Sequence, residues 1–280
     1  MNVALWKKTA GLTIAALTAF AGAACSPQTD STEASDKQPS VLELLASDLK
    51  GSLQKTVDST AKTDSVALTM KGNVNGQSIS MQGHLNLGDP AQAELRMTVP
   101  DGPEVTARMI GPVVFVEVPA AQRATTGGKR WMKMDMTAMN GGKTGTDFAK
   151  QFDDMDPIKQ VRTLLGIEGT TVVGQETVNG ATTVHYTVTT PVATYLKQID
   201  AKMRAASEQA FTAQGVKEIK LDLWVDEQYR PRRVSLVMGK VSDMVIDYTD
   251  YGKTVTIEAP PAAETADLAE MLKSRLTTTT

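Results

Sequence analysis

Few residues in this 280-residue chain are suited to chemistry. There is one cysteine, Cys25, and there are two histidines, His84 and His185, far apart in the sequence. A single cysteine excludes an internal disulfide and zinc sites built from several thiolates. Two distant histidines offer little for imidazole acid–base catalysis, and both are interpreted as surface or pocket-rim residues. The composition therefore favours binding over catalysis.

Other motifs that could carry chemistry are incomplete. Residues 141–144 read Gly-Gly-Lys-Thr, like the end of a phosphate-binding loop, but that loop needs a glycine where Thr137 stands. The acidic cluster at 153–156 lacks the spacing and the glycine of a calcium loop, so it is interpreted as a solvated helix end. No Gly-x-Ser-x-Gly nucleophile motif occurs. The sequence thus predicts no enzyme, no metal site and no cofactor.

The charge balance restricts the partners. The chain has 29 basic and 32 acidic residues and a formal charge of −3, which argues against a protein that neutralises nucleic-acid phosphates. Against this background, Arg230, Arg232 and Arg233 form a basic turn. Such a turn is a candidate contact for an anionic head group, or simply a solvated turn.

The surroundings of Cys25 are typical of an acylation site. Lys7 and Lys8 precede residues 9–24, which carry no charge and are shorter than the roughly 20 apolar residues that span a bilayer. The end of this segment, Ala-Gly-Ala-Ala-Cys, resembles a bacterial lipobox, although Gly22 stands where leucine is usual. We therefore interpret residues 1–24 as a lipoprotein signal peptide and Cys25 as the lipid attachment site; a plain secretory signal is the alternative.

The segment that follows is polar and rich in Pro, Ser and Thr. Such a composition cannot bury enough apolar surface to fold. Residues 25–40 are therefore predicted to be the acylated cysteine and a disordered tether. Residues 41–280 are predicted to form one domain held at the extracytoplasmic face of the cell membrane by two acyl chains.

Two Asn-Gly turns define hairpins. Asn-Gly is the strongest two-residue hairpin signal, and folding at residues 75–76 and at residues 179–180 brings alternating apolar side chains onto one face. The predicted cross-strand pairs are Val74–Gln77, Gly72–Ile79, Met70–Met81 and Val66–Leu85 in the first hairpin, and Val173–Tyr186 and Gln175–Val184 in the second.

Helical patterns surround these strands. Ser40 and Glu43 form a capping box for a helix that the leucine stripe continues to about Thr60. Further helices are predicted over 146–165, with a break at Asp156-Pro157, over 190–215, and near the end of the chain. Because strand and helix do not alternate regularly, the predicted fold class is α+β, with about 10–12 strands in one strongly curved antiparallel sheet. Helices would cover its concave face, which either packs solid or encloses a cavity.

Methionines occupy many apolar strand positions. Met70, Met81, Met97 and Met109 lie on the inward faces of predicted strands, and residues 132–136 carry three more methionines. Methionine adapts to varied apolar partners, which suits a tolerant ligand cavity. Ordinary core packing is the alternative.

The C-terminal half resembles a known family. Residues 221–237 read LDLWVDEQYRPRRVSLV, a strand that ends in Trp-Val-Asp, a turn containing Tyr-Arg-Pro and a return strand. Together with the stretch from Asp247 to Pro260, this is similar to the LppX/LprG-type (LppX_LprAFG) lipoproteins of actinobacteria, which share the LolA/LolB-like carrier fold. The strand-turn-strand motif also occurs in more distant relatives, so it supports the fold better than the function.

The resemblance implies a curved half-barrel around a hydrophobic cavity that accepts acyl chains of a lipid or lipoglycan for transfer across the cell envelope. It implies no catalytic residue, and only Cys25 carries over directly, as the acylation site. An envelope sensor or partner-binding lipoprotein with the same fold is the alternative. In either case we expect a monomer, with an envelope protein as a further candidate partner.

Candidate ligand contacts follow from periodicity alone. Cavity-lining residues are predicted to be Leu45, Leu49, Val66, Met70, Met81, Leu85, Leu95, Met97, Tyr195, Ile199, Leu221 and Leu223. The predicted rim or head-group residues are Arg230, Arg232 and Arg233, with the glycine-rich loop at 140–145.

Overall fold

A twelve-stranded sheet organises the described part of the chain. The computed structural model describes residues 39–98, 100, 102–137, 156–199 and 201–278. The predicted signal peptide, Cys25, the predicted tether up to residue 38 and the glycine-rich loop at 140–145 therefore lie outside the described residues. The strands are β1 (Ser65–Val74), β2 (Gln77–Asn86), β3 (Gln92–Thr98), β4 (Val105–Ile110), β5 (Val113–Glu117), β6 (Trp131–Asp135), β7 (Thr171–Val178), β8 (Ala181–Pro191), β9 (Glu218–Asp226), β10 (Pro231–Met238), β11 (Ser242–Thr249) and β12 (Thr265–Asp267).

The sheet is curved and unclosed. Its strand order is β12-β6-β5-β4-β3-β2-β1-β11-β10-β9-β8-β7, which leaves β12 and β7 as the two edges. All neighbouring pairs are antiparallel except the β12–β6 pair. The predicted α+β fold with a large curved sheet is therefore confirmed, with one parallel pair at an edge.

The helices are α1 (Val41–Ser47), α2 (Leu49–Thr60), α3 (Pro157–Leu165), α4 (Val192–Tyr195), α5 (Ala201–Ala213) and α6 (Leu268–Thr278). Within the described ranges, three 3₁₀ helices cover Ala120–Thr126, Leu196–Gln198 and Ala262–Glu264. Among the described residues, no helix combines the length and apolar character needed to cross a membrane.

The first predicted helix begins where the sequence indicates, but it is interrupted near its middle. The Ser40 Oγ accepts from the Glu43 amide at 3.2 Å while Glu43 Oε2 accepts from the Ser40 amide at 2.7 Å, which completes the capping box. The helix does not continue unbroken, because Asp48 leaves helical geometry and its carboxylate caps α2 through the Gly51 amide at 3.0 Å. The predicted single helix is therefore two, α1 and α2.

Both Asn-Gly hairpins form, and the first has the predicted register throughout. Val74 pairs with Gln77, Met70 with Met81 and Val66 with Leu85. In the second hairpin Gln175 pairs with Val184 as predicted, but Tyr186 pairs with Val172. The prediction of Val173 opposite Tyr186 is wrong, because a β-bulge at Val173 and Gly174 adds one residue to β7.

Two other predicted elements differ. The helix expected over 190–215 is divided into α4, the Leu196–Gln198 3₁₀ helix and α5. Residues 253–261, predicted to contain a strand at Val255–Ile257, are irregular. Two carbonyl groups of this segment accept hydrogen bonds from side chains instead of from a neighbouring strand. Asn86 Nδ2 donates to the Val255 carbonyl at 2.8 Å, and Arg108 Nη1 donates to the Glu258 carbonyl at 3.2 Å.

Glycines permit close approach between strands of the curved sheet. A Cβ built on Gly72 would lie 2.0 Å from the Asp243 carbonyl oxygen on β11, and one on Gly83 would lie 2.0 Å from the Glu94 carbonyl oxygen on β3. Neither separation is compatible with a side chain, so both positions depend on glycine. Glycine kinks of this kind let a sheet bend strongly.

Helices α1 and α2 cover one end of the concave face. Leu45 and Leu53 are fully buried in the core, together with Tyr186 and Leu223 from the sheet. The Tyr186 hydroxyl donates to the Leu45 carbonyl at 2.7 Å, which fixes α1 over β8. Burial raises the pKa of Tyr186 well above its ordinary value, so this phenol stays protonated and keeps donating.

Candidate ligand-binding cavity

A cavity of about 590 Å³ lies beside this packed core, between the concave face and the helices. Its volume is typical of ligand sites, which range over roughly 300–1,000 Å³. The sheet contributes only aliphatic and methionine side chains to its wall. They are Met70, Ile79, Met81, Leu95, Met97, Val105, Ala107, Val116, Val234, Leu236, Met238, Met244 and Ile246.

The apolar wall of the cavity is seven strands wide. Its residues come from the adjacent strands β5, β4, β3, β2, β1, β11 and β10. With neighbouring strands about 4.8 Å apart, six spacings correspond to roughly 29 Å of arc along the curved sheet. Met97, which is 43% exposed, lies where the wall meets solvent. This wall and the space over it, called the trough below, offer a broad apolar surface to a ligand.

Polar groups enter the cavity from the helical side. Lys159, Gln160 and Thr163 of α3 line it, as do Tyr195 and Gln198 of the segment after β8. On the same helix, Pro157, Val161 and Leu164 are buried. The cavity is therefore apolar along the sheet and polar where the helices face it.

The alternation of apolar residues identified the concave face of the sheet correctly, but it did not show which part of that face lines the cavity. Six of the twelve predicted lining residues lie at the cavity: Met70, Met81, Leu95, Met97, Tyr195 and Ile199. The other six lie in or against the packed core: Leu45, Leu49, Val66, Leu85, Leu221 and Leu223. The two groups are separated because α1 and α2 cover one part of the concave face, where the second group packs. The cavity lies over the part that these helices leave open.

Several cavity residues were missed by the sequence analysis. Ile79, Leu236 and Met244 lie on strands that were predicted, and the same alternation that selected Met70 and Met81 would have found them. Lys159 and Gln198 had no such signal, since neither forms part of a motif. Only the folded arrangement brings these helical polar groups over the sheet.

The predicted rim arginines form ion pairs away from the cavity wall. Arg230 donates from Nη2 to Asp226 Oδ2 at 2.9 Å, and Arg232, the extra residue of a bulge in β10, has its Nη1 3.9 Å from the same oxygen. Arg233 binds Asp247 through two hydrogen bonds of 2.6 and 3.0 Å. None of the three is among the residues that line the cavity.

Arg233 belongs to the convex face. It pairs across strands with Trp224 and Asp247, whereas its neighbour Val234 lines the cavity. Since successive side chains of a strand point to opposite faces, Arg233 points away from the concave side. The prediction placed Arg233 at the rim because of its charge, although its position next to the inward-facing Val234 already puts it on the opposite face.

His185 also lies on the convex face, in a polar cluster. Its ring stacks on Trp224 with centroids 4.1 Å apart. Nδ1 lies 2.9 Å from Glu176 Oε1, Nε2 lies 3.0 Å from Asp222 Oδ1, and the Trp224 indole donates to Glu176 Oε2 at 2.8 Å. His185 is only 9% exposed, so it is a structural residue of the sheet rather than a pocket-rim group.

This cluster predicts loss of stability in acid. Hydrogen bonds from Trp224 and then from His185 lower the pKa of Glu176 below its ordinary value. A lowered carboxyl pKa stabilises the fold above the unfolded value, about 4.3, and this contribution disappears as the pH falls through the folded value. We expect Glu176→Gln to flatten the decline in unfolding free energy between about pH 5 and pH 3, measured by urea denaturation. An unchanged decline would contradict this role for Glu176.

Comparisons with known proteins agree with the fold. No family model matches the chain. Over 235 residues it is 29% identical to an uncharacterized 31.2 kDa protein of Streptomyces griseus, covering 80% of this chain and 76% of that protein. Over 156 residues it is 31% identical to a Streptomyces coelicolor protein that is named as a lipoprotein on a provisional basis. This match covers 53% of this chain and 46% of that protein.

Among solved structures, the chain is similar to LprF from Mycobacterium bovis. The TM-score is 0.50 at 15% sequence identity, and the likeness covers 76% of this chain and 97% of LprF. At this level of identity the likeness concerns the fold alone. The chain therefore has the LppX/LprG-type fold that its sequence resembles.

Proposed function

We propose that this chain is a lipoprotein of the LppX/LprG type, anchored through acylated Cys25 on the extracytoplasmic face of the cell membrane. There it binds acyl chains of a lipid or lipoglycan in its cavity and assists their transfer across the envelope. The observation that carries the proposal is the cavity of about 590 Å³ whose wall on the sheet side spans seven strands and, among the described residues, contains no polar side chain. The name of the Streptomyces coelicolor relative is consistent with the anchor.

Hydrophobic burial is sufficient for such binding. Each methylene moved from water into the trough stabilises the complex by about 0.8 kcal/mol. Five of the thirteen wall residues are methionines, whose flexible side chains adapt to different chains. Binding of this kind depends on chain length more than on chain identity.

Blocking the trough tests the proposal. The full chain carrying Cys25→Ser, which has no covalent acyl group, is produced in an actinobacterial host and its bound lipid is measured by native mass spectrometry and solvent extraction. We expect about one acyl lipid per protein, and at least tenfold weaker affinity for lipid titrated from vesicles after Met81→Trp. An indole at this wall position displaces about two methylenes, or about 1.6 kcal/mol.

Gln82→Trp is the matched control, because Gln82 is the next residue of β2 and is exposed on the opposite face. It should leave the lipid content unchanged. An empty wild-type chain that also takes up no lipid from vesicles would contradict the proposal. That result would favour the partner-binding alternative, in which the folded surface rather than the cavity carries the function.

A further inference from the structure

Three methionines form a row across the apolar wall. Met81 on β2 pairs directly with Met70 on β1 and with Met97 on β3, and all three residues line the cavity. Residues directly opposite each other on antiparallel strands have their Cβ atoms roughly 4.5–5.5 Å apart. The strand register therefore brings three thioethers side by side on one face of the sheet. Met70, Met81 and Met97 are called the methionine row below.

The methionine row is more accessible than a methionine of the core. Met97 is 43% exposed, and Met70 and Met81 are half-buried. Met109, which also lies on an apolar strand position, is 9% exposed and packs in the core. Packing accounts for Met109, whereas the thioethers of the row line an open cavity that a small solute can enter.

Thioethers are selective metal ligands. Their sulfur is neutral and polarizable, and soft sulfur ligands of this kind select Cu(I). The sheet side of the cavity has no carboxylate, imidazole or thiolate among the described residues. Mg²⁺ and Ca²⁺ require oxygen ligands, and Zn²⁺ is bound by thiolate, imidazole or carboxylate, so none of these ions has a suitable ligand set here.

The side chains of the row are flexible enough to converge on one ion. Methionine is unbranched and rotates about three side-chain bonds, so its sulfur can approach a neighbour while the backbone stays in place. Met81 lies in the middle of the row and pairs with both of the others. A single ion over Met81 can therefore contact the thioethers of Met70 and Met97 as well, which gives a set of three sulfur ligands.

The charge of Cu(I) suits this part of the cavity. Neutral thioethers do not compensate a cation, so a monovalent ion is less costly to hold there than a divalent one. Met97 lies where the wall meets solvent, so water can hydrate one side of the ion. Lys159 is the charged lining residue of the described chain, and its helix, α3, packs against β10, four strands from β3. The helix that carries this cation therefore lies toward the other end of the wall.

From these observations we infer that the methionine row is a binding site for Cu(I), with Met81 as its central ligand. The inference is independent of the proposed function, because it requires the thioethers and no acyl ligand. The expectation that the chain has no metal site concerned thiolates, imidazoles and carboxylates. Among the described residues no group of three His, Cys, Asp or Glu could hold a metal ion, so a thioether site would have no competing site of that kind there.

The experiment titrates Cu(I) into the full chain carrying Cys25→Ser, which removes the single cysteine thiol. Tetrakis(acetonitrile)copper(I) is added under anaerobic conditions at neutral pH. The methionine methyl groups, labelled with a carbon isotope, are followed by NMR and assigned through Met→Leu variants. We expect saturation at one ion per chain, with shifted signals for Met70, Met81 and Met97 and an unshifted signal for Met109.

The pH dependence distinguishes thioether from imidazole ligands. A thioether has no titratable proton, so the affinity for Cu(I) should be the same at pH 7 and at pH 5. An imidazole with an ordinary pKa of about 6.5 is largely protonated at pH 5, and a site built on His84 or His185 would lose more than about tenfold in affinity.

Met81→Leu tests the central ligand. Leucine conserves the volume and the apolar character of this position, so lipid content should not change. The affinity for Cu(I) should fall at least tenfold, because the sulfur shared by both neighbouring pairs is lost. Met109→Leu is the matched control, since it replaces a strand methionine of the core, and it should leave the affinity unchanged. Replacing Met70, Met81 and Met97 together with leucine should abolish binding.

The outcomes separate this inference from the proposed function. Binding of Cu(I) that survives the triple leucine variant, or that weakens at pH 5 as an imidazole site would, overturns the inference. A Cys25→Ser chain that binds no Cu(I) also overturns it. These results leave acyl binding in the cavity unaffected. Conversely, a chain that binds Cu(I) through the methionine row but takes up no lipid overturns the proposed function and supports the metal site.

Discussion

Replacing Asp226 with alanine is expected to lower the free energy of unfolding by about 3–5 kcal/mol, as removal of one partner from a buried ion pair does. Asp226 is 2% exposed. Its Oδ1 accepts from the amides of Gln228 at 3.0 Å and Arg230 at 2.9 Å, and its Oδ2 accepts from the Arg230 guanidinium. Arg232 lies near the same carboxylate, and its Nε has no hydrogen-bond partner among the described residues.

The network explains a stretch of the sequence that resembles a family motif. The carboxylate organises the turn between β9 and β10, in which Tyr229 adopts a positive φ of 56°. The Tyr251 hydroxyl donates to the Pro231 carbonyl on the far side of the turn. The Trp-Val-Asp and Tyr-Arg-Pro elements are therefore parts of one folded turn, and their role is structural.

Urea denaturation at pH 7 measures the effect. Glu227→Ala is the matched control, because this neighbouring acid is exposed and its loss should change the unfolding free energy by less than about 0.5 kcal/mol. Asp226→Asn, which keeps acceptor oxygen but not charge, should fall between the two. If Asp226→Ala were no more destabilising than Glu227→Ala, the buried carboxylate would not support the turn.

Adding one methyl group at Gly83 is expected to destabilise the sheet by about 3 kcal/mol, near the upper end of ordinary overpacking costs. The new Cβ would lie 2.0 Å from the Glu94 carbonyl oxygen and 2.9 Å from the Leu95 Cα. Both atoms belong to the backbone of β3, which cannot turn aside as a side chain could. The β2–β3 pair would have to separate or lose its curvature.

Gly88→Ala provides the comparison. Gly88 lies shortly after β2, and a Cβ there would meet nothing within 4 Å. Because alanine restricts the unfolded chain, this change should be neutral or stabilising by up to about 1 kcal/mol. Thermal and urea unfolding of both variants measure the difference. Equal stabilities for Gly83→Ala and Gly88→Ala would show that the close approach of β2 and β3 relaxes at little cost.

Local signals predicted the elements whose geometry is set locally. The turn at Asn75-Gly76 fixes the pairing of its strands, so alternation along β1 and β2 identified the inward residues correctly. The capping box at Ser40 and Glu43 likewise located the start of α1. In both cases the decisive interactions join residues close in the chain, which a single sequence displays.

Features that depend on distant packing were not predictable in this way. Alternation placed Val66 and Met70 on the same face of the sheet. In the structure Val66 packs in the core with α2, whereas Met70 lines the cavity. Bulges at Val173 and Arg232 each shift the alternation, and only one of them has a nearby glycine as a signal. The polar side of the cavity comes from α3, whose position over the sheet no local pattern specifies.

The bulge in β7 also affects whether two copies of the protein can pair through this edge strand. As an edge strand, β7 presents backbone donors and acceptors that another chain could extend into a shared sheet. The extra residue at Val173, which is 55% exposed, and the φ of 147° at Gly174 interrupt the regular spacing of those groups. If the chain is anchored to a membrane as proposed, molecules concentrated side by side there would lack a continuous template for strand-to-strand aggregation.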